Sequence, residues 1–319
     1  MTSTDTARSD FPDEQADDGS FKRKDSLFRD WIRADGSTDY APEAGRYHLY
    51  VSSACPWAHR TIIYRFLKGL EEVISMTIVD PERDERGWAI TDERGTTPDP
   101  VNDFTFLNEG YAISDPGFDG RVTVPVLWDR KHGRIVNNES ADIIRMFDLE
   151  FEALAEKQEP VWCPDDLCAE IDEINEFVYE NVNDGVYRTG FAKAQAAYEY
   201  AFGKLFDALD ALDGRLATNR YLVGDRITEA DWRLFPTLLR FDPVYVGHFQ
   251  CNLRRIVDYP NLSGYVRELY QYPGIAATVD MDHIKRHYYR THPHVNPMFI
   301  VPVGPALDFT APHGRDHLS

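Results

Sequence analysis

The chain has 319 residues, 43% of them hydrophobic, and 34 basic side chains against 54 acidic ones leave a formal net charge of -20. That length predicts two domains of ordinary size, the acidic balance excludes nucleic acid and anionic lipid as partners, and no apolar run is long enough to span a bilayer. An acidic surface on an ordinary core fits a halophilic protein, because concentrated salt screens the self-repulsion.

Residues 1–26 are polar and charge-mixed, without the apolar segment of a secretory signal, so they read as a loosely attached tail on a cytoplasmic protein. Residues 47–52 are apolar and β-branched enough for a strand. The pattern breaks at Ser53-Ala54, and helical spacing follows Cys55-Pro56 as far as Lys68. A second strand fits 73–79. The stretch 81–119 exceeds the ~12 to 15 residues of an ordinary structureless loop, which makes it a functional insertion or an ordered lid. Strands at 126–128 and 134–136 flank the turn Lys131-His132-Gly133, and 140–147 reads as a short helix.

This order predicts an α/β fold with a mixed sheet of about four strands. Strand signals then stop, and apolar residues recur at helical spacing over 165–182, 192–212, 229–241, 262–270 and 275–279, so the second half is all-α. The division is 1–45 tail and lead-in, 46–150 α/β domain, 151–164 linker, 165–290 helical domain and 291–319 extended tail. Five prolines from Pro293 to Pro312 forbid a helix in that tail, while Phe299-Ile300-Val301 is too apolar for mere solvation, so the tail should pack along the body.

A cysteine just before a helix meets the positive end of the macrodipole and unpaired N–H groups, which favour thiolate. Pro56 suits the first helical position, where its missing N–H costs nothing. The competing reading, a buried structural cysteine, fits the strand-Cys-Pro-helix context less well. Position 58, where a dithiol motif would carry its second cysteine, is Ala58, so Cys55 implies monothiol chemistry through a mixed disulfide. Cys163, Cys168 and Cys251 are expected as reduced thiols, and no metal site is assigned. His59 and Arg60, one turn past Cys55, could influence its thiolate but read better as helix-surface residues.

Thr123-Val124-Pro125-Val126 places a proline before a buried strand, either at its first residue or with a cis bond. Asn138-Glu139-Ser140 opens the next helix; Ser140 and nearby N–H groups could hold a carboxylate while Glu139 attracts an ammonium, or Ser140 could simply cap the helix. Thr228-x-x-Asp231 is a capping box, with Asp231 structural.

The segments Cys55-Pro56-Trp57-Ala58, Thr123-Val124-Pro125-Val126-Leu127-Trp128-Asp129, Asn137-Asn138-Glu139-Ser140 and Gly185-Val186-Tyr187-Arg188-Thr189-Gly190-Phe191-Ala192 carry a resemblance that continues toward the C-terminus. It runs on through Arg240-Phe241-Asp242-Pro243-Val244-Tyr245, Asp258-Tyr259-Pro260-Asn261-Leu262 and His283-Ile284-Lys285-Arg286-His287-Tyr288-Tyr289. In this order they resemble the glutathione transferase superfamily, and more narrowly the glutathionyl-hydroquinone reductases of its Xi class. The resemblance implies a thioredoxin-like N-terminal domain, an all-α transferase-type C-terminal domain and a homodimer.

It further implies that Cys55 removes glutathione from a glutathionyl-hydroquinone, that Trp88 covers the tripeptide, and that Val124, Glu139, Ser140 and Arg121 hold it. Tyr187, Tyr245 and Tyr288 match positions lining the hydroquinone pocket, where phenols can hydrogen-bond quinol oxygens and supply protons. The cosubstrate is glutathione or γ-glutamylcysteine, which share the γ-glutamyl end. Rival readings on the same fold are a general deglutathionylating or dehalogenating thiol and a non-catalytic binding module.

Overall fold

The computed structural model describes residues 14–157 and 159–318 and divides them into two compact units. One holds Asp25–Val161 with Thr278–Thr291; the other holds 14–24, Trp162–Ala277 and 292–318. None of the described helices is long and apolar enough to cross a membrane.

In the first unit, β1 (Tyr47–Val51), β2 (Ser75–Ile78), β3 (Val126–Asp129) and β4 (Arg134–Asn137) form a mixed sheet in the order β2-β1-β3-β4. β1 runs parallel to β2 and antiparallel to β3, and β3 turns back into β4. All five residues of β1 are buried, as a strand covered on both faces requires. His48 projects from β1 onto β2, its Nδ1 2.7 Å from Ser75 Oγ and its Nε2 2.9 Å from Thr77 Oγ1. Arg46, just before β1, grips Asp129 at the end of β3 with two bonds of 2.9 and 2.8 Å, both side chains out of solvent.

Three helices complete this layer: α1 (Pro56–Leu67), α2 (Asn108–Ser114) and α3 (Ser140–Arg145), with α1 packed against α3. The expected 140–147 helix is α3 plus the start of a π-helical turn, Met146–Glu150.

The long stretch after β2 is an ordered insertion. It contains α2, and Asp99 organises its middle by accepting from Val101 N–H, Phe104 N–H and the Tyr50 hydroxyl. The helix Met281–Thr291, which no periodicity announced, fastens to the insertion instead of counting with the helical half. Arg286 and Arg290 both reach Glu82, at 2.8 and 3.1 Å, His287 Nδ1 lies 2.7 Å from the Pro81 carbonyl oxygen, and His283 Nε2 lies 2.9 Å from that of Arg94.

The lead-in departs from the loose tail that composition suggested. Residues 1–13 lie outside the described residues, but 14–30 are tied down. Phe21 is buried edge-on to Phe191 in the second unit, and Lys193 N–H donates to the Gly19 carbonyl at 2.9 Å. In the first unit, Arg29 bridges Asn137, Asp30 N–H donates to Val136, and Asn138 N–H donates to Phe28, so the lead-in covers the outer edge of β4.

The helical unit is built on Cys168–Val178, Gly185–Gly190, Gln195–Leu216, Glu229–Arg240, Val246–His248 and Leu262–Tyr270. The expected helix over 165–182 ends in a π turn, Tyr179–Asn183, and the one over 275–279 is a 3-10 turn, Ile275–Thr278. The capping box is present. Asp231 accepts from Thr228 N–H at 2.8 Å and also from Leu222 N–H and the Tyr265 hydroxyl, a wholly internal role.

The C-terminal tail packs along the body in its last part, where Gln271 Nε2 donates to the carbonyls of Phe309 and Ala311 at 2.8 and 2.7 Å and the Phe309 ring lies 5.2 Å from that of Tyr270. Arg315 is buried and donates to Glu268 and to the carbonyls of Leu216, Asn219 and Arg220, whereas Met298, Ile300 and Val303 are exposed. Reduced thiols were expected throughout, but Cys163 and Cys168 form a disulfide. The five-residue separation brings the two sulfurs together as the chain enters the Cys168–Val178 helix.

Burial pulls the His48 imidazole down to about 4 from an ordinary 6.5. The folded chain therefore favours the neutral ring: this stabilisation is complete above about pH 6.5 and is lost as pH falls toward 4. Moving from pH 7 to 4.5 should cost the native chain on the order of 2 to 3 kcal/mol more than His48→Gln. Paired denaturant titrations at the two pH values measure the difference.

Candidate active site

The geometry starts from β1. A buried central strand ends at Val51, the chain breaks through Ser52 to Ala54, and Pro56 opens α1 with Cys55 as its N-cap in extended conformation. The Cys55 carbonyl accepts the first helical bond, from His59 N–H at 3.0 Å, and its side chain does not cap the helix. The half-buried thiol instead lies 3.5 Å from the Val124 carbonyl oxygen. Cys251 is fully buried, and burial pushes its thiol well up, which suits an inert core position.

Of the two geometries open to Pro125, the Val124-Pro125 bond takes the cis form. The loop carrying it is braced from the insertion. Tyr111, wholly buried on α2, donates its hydroxyl proton to the Thr123 carbonyl at 2.8 Å and accepts from Thr123 N–H and Asn138 Nδ2, each at 3.1 Å. Burial raises the Tyr111 phenol, while Thr123, Asn138 and the charge of half-buried Arg121 act in the opposite direction.

The capping part that the sequence offered to Ser140 falls to Glu139. Glu139 is the cap of α3, its Oε1 accepting from Ala141 N–H at 3.1 Å, and Ser140 is the first helical residue. The other Glu139 oxygen accepts from the Ser26 hydroxyl at 3.1 Å, and Arg60 donates to Ser140 Oγ at 3.4 Å.

His59 and Arg60 are not surface residues: each is 1% exposed. α1 lies between the sheet and other elements, so even its polar positions are enclosed. His59 is satisfied by Thr278 Oγ1 at 2.8 Å, and the Arg60 guanidinium lies 4.6 Å over the Trp57 ring.

Trp88 is buried in the insertion and stacks on His287 with ring centroids 5.0 Å apart. Among the described residues its indole Nε1 has no acceptor. Tyr288 is buried too, edge-on to His287 at 5.2 Å, so Trp88, His287 and Tyr288 make one aromatic row within the first unit. Tyr187 and Tyr245 belong to the helical unit, where their rings lie 6.1 Å apart. Tyr245 stacks on Phe249, and Arg23, paired with Asp184 at 2.7 Å, covers the Tyr187 ring at 4.7 Å.

Sequence reasoning missed Ser26, Arg60, Tyr111, Asn138 and His287. Asn138 and His287 stood inside recognised segments without an assigned role; Ser26 and Tyr111 act through partners far along the chain, and no local spacing reports such a contact.

Comparison with known proteins adds three kinds of likeness. Residues 54–150 match the glutathione S-transferase N-terminal domain and residues 192–268 match its C-terminal domain. The chain is 50% identical to glutathionyl-hydroquinone reductase YqjG of Escherichia coli, over 95% of this chain and 94% of that protein, and 50% identical to glutathionyl-hydroquinone reductase PcpF of Sphingobium chlorophenolicum, over 92% of each. The glutathione-bound structure of YqjG superposes with a TM-score of 0.88 over 91% of this chain and 96% of that one, at 51% identity. A Xi-class transferase from Natrialba magadii superposes at 0.90 over 95% and 96%, also at 51% identity. The α/β thioredoxin-like and all-α transferase-type halves are thereby established.

Tyr111→Phe removes the hydroxyl but not the ring, taking the acceptor from Thr123 N–H and the donor from the Thr123 carbonyl. Stability should fall by about 1 to 3 kcal/mol, the cost of buried polar groups left unsatisfied, as read by urea unfolding.

Proposed function

Since the chain belongs to the glutathionyl-hydroquinone reductase, or Xi, class of the glutathione transferases, we propose that it reduces S-glutathionyl-hydroquinones to hydroquinones with Cys55 as nucleophile. The observation that carries this reading is the sulfur at the start of α1, 3.5 Å from the backbone carbonyl of Val124. There the helix N-terminus favours thiolate, and a cysteinyl peptide can pair with Val124 as a short added strand.

Each neighbouring group then has a task. Glu139 takes the ammonium of the γ-glutamyl end, while Ser140, oriented by Arg60, and the N–H groups opening α3 take its carboxylate. Trp88 covers the bound tripeptide, its indole N–H available to an acceptor on the ligand, and Arg121 adds positive charge nearby. Tyr187, Tyr245 and Tyr288 serve the quinol ring, donating hydrogen bonds to its oxygens and a proton to the carbon that loses sulfur.

The Cys55 thiolate attacks the thioether sulfur. The carbon–sulfur bond breaks, its electron pair goes to the ring carbon, that carbon takes a proton, and the hydroquinone leaves. Cys55 now holds a mixed disulfide. A second thiolate attacks it, releasing the disulfide of the cosubstrate and restoring Cys55, as monothiol chemistry requires because Ala58 offers no resolving sulfur. The cosubstrate is a γ-glutamyl thiol, glutathione or γ-glutamylcysteine, and the enzyme works as a homodimer in the cytoplasm, where the polar composition of residues 1–26 puts it.

Cys55→Ser should lower turnover of a glutathionyl-hydroquinone by at least about three orders of magnitude. Intact mass of the native chain during turnover should show one cosubstrate adduct on Cys55, removed by excess thiol. Undiminished turnover in the variant, or an adduct elsewhere, overturns the assignment. Competitive binding of glutathione and γ-glutamylcysteine decides between the cosubstrates.

A further inference from the structure

Far along the sequence from Cys55, and in the other unit, lies the Cys163–Cys168 disulfide, which no step above uses. We propose that this pair is a second thiol-exchange site, a reversible disulfide opened by low-molecular-weight thiols and closed by their disulfides.

Loop length argues against a purely structural bond. A crosslink stabilises mainly by restricting the unfolded chain, and the gain grows with the length of chain enclosed. Here the sulfurs are five residues apart, with Cα atoms 5.2 Å apart, so the bond restrains almost nothing beyond its own turn. That turn is already held by Leu167 N–H donating to the Pro164 carbonyl at 3.0 Å. The two thiols therefore stay close after reduction and are ready to close again.

Access and chemistry are divided unequally between them. Cys163 is 4% exposed, whereas Cys168 is half-buried and opens the eleven-residue helix Cys168–Val178. An incoming thiolate reaches the Cys168 sulfur, and the helix N-terminus favours Cys168 as thiolate once it is released. Cys163 follows Trp162, whose carbonyl accepts from Glu229 N–H at 2.9 Å and whose ring meets Trp232 and Tyr272 at 6.0 and 6.2 Å. The bond thus joins a half-buried helix start to the buried neighbour of a core tryptophan in the helical unit.

The exchange balances without further reagents. A thiolate attacks Cys168 Sγ; the protein disulfide breaks, its electron pair leaves with Cys163, and Cys163 takes a proton. A second thiolate attacks the thiol-side sulfur of the resulting mixed disulfide, releasing Cys168 and one molecule of small-molecule disulfide. Two thiols are oxidised and one protein disulfide is reduced, and the reverse steps close the site. The oxidant for closure is the disulfide that the reaction at Cys55 would release, a link that rests on the function proposed above; the exchange itself does not.

The full-length Cys55→Ser chain separates the two sites. It is equilibrated in glutathione and glutathione disulfide at graded ratios, quenched with acid, alkylated with iodoacetamide after unfolding, and weighed intact. Cys163 and Cys168 should gain two alkyl groups together when thiol is in excess and lose them again when disulfide is in excess. In the same background, Cys163→Ala should trap one glutathione on Cys168. A pair that opens only after the chain is unfolded, or that stays alkylatable in excess glutathione disulfide, overturns the proposal. Turnover of the native enzyme tests Cys55 independently, so either assignment can fail alone.

Discussion

The Tyr111 hydroxyl gives its proton to the Thr123 carbonyl while accepting from Thr123 N–H and from Asn138, and this junction ties three separate parts of the chain. The insertion, the cis-proline loop and the lead into α3 meet at one oxygen. A loop presenting Val124 to the Cys55 sulfur has to be stiff, because a displacement of an ångström at that carbonyl changes what the sulfur can reach. The sheet supplies the other half of the constraint: β1 is a central strand buried at every residue, so the start of α1 is delivered from an enclosed frame.

Much of that frame can be read from residue order alone. The apolar run into Cys55-Pro56 marks strand, break and helix start in the ten residues 47–56, and Thr228-x-x-Asp231 marks a helix start that the structure reproduces with both reciprocal bonds. The helix Met281–Thr291 was hidden because its buried positions are His283, Ile284, His287, Tyr288 and Tyr289, a face of rings and nitrogens that apolar periodicity does not register. His59 and Arg60 were misplaced because charged and imidazole side chains usually face water; here neighbouring elements satisfy them inside. The 163–168 pairing was missed because cysteine usage in a long chain of this composition predicts free thiols.

Charge is distributed by a similar logic. Several cations pair internally, Arg46 with Asp129, Lys68 with Asp148, Arg315 with Glu268, in positions almost closed to solvent. Removing one member of such a pair strands the other without hydration, so these contacts act as registry pins between distant segments. Carboxylates outnumber cations by 20 in the chain as a whole, and the self-repulsion of that excess weakens as salt screens it.

The lead-in along β4 has a consequence for how this unit can be moved or trimmed. Residues 26–30 supply the backbone partners of the outer strand and the hydroxyl that meets the free oxygen of Glu139. A fragment cut at the first strand would expose a raw row of peptide groups, inviting pairing between copies, and would leave the Glu139 carboxylate without its Ser26 partner. The transferable module therefore begins some twenty residues upstream of its first strand, where the stretch that composition reads as a loose tail ends.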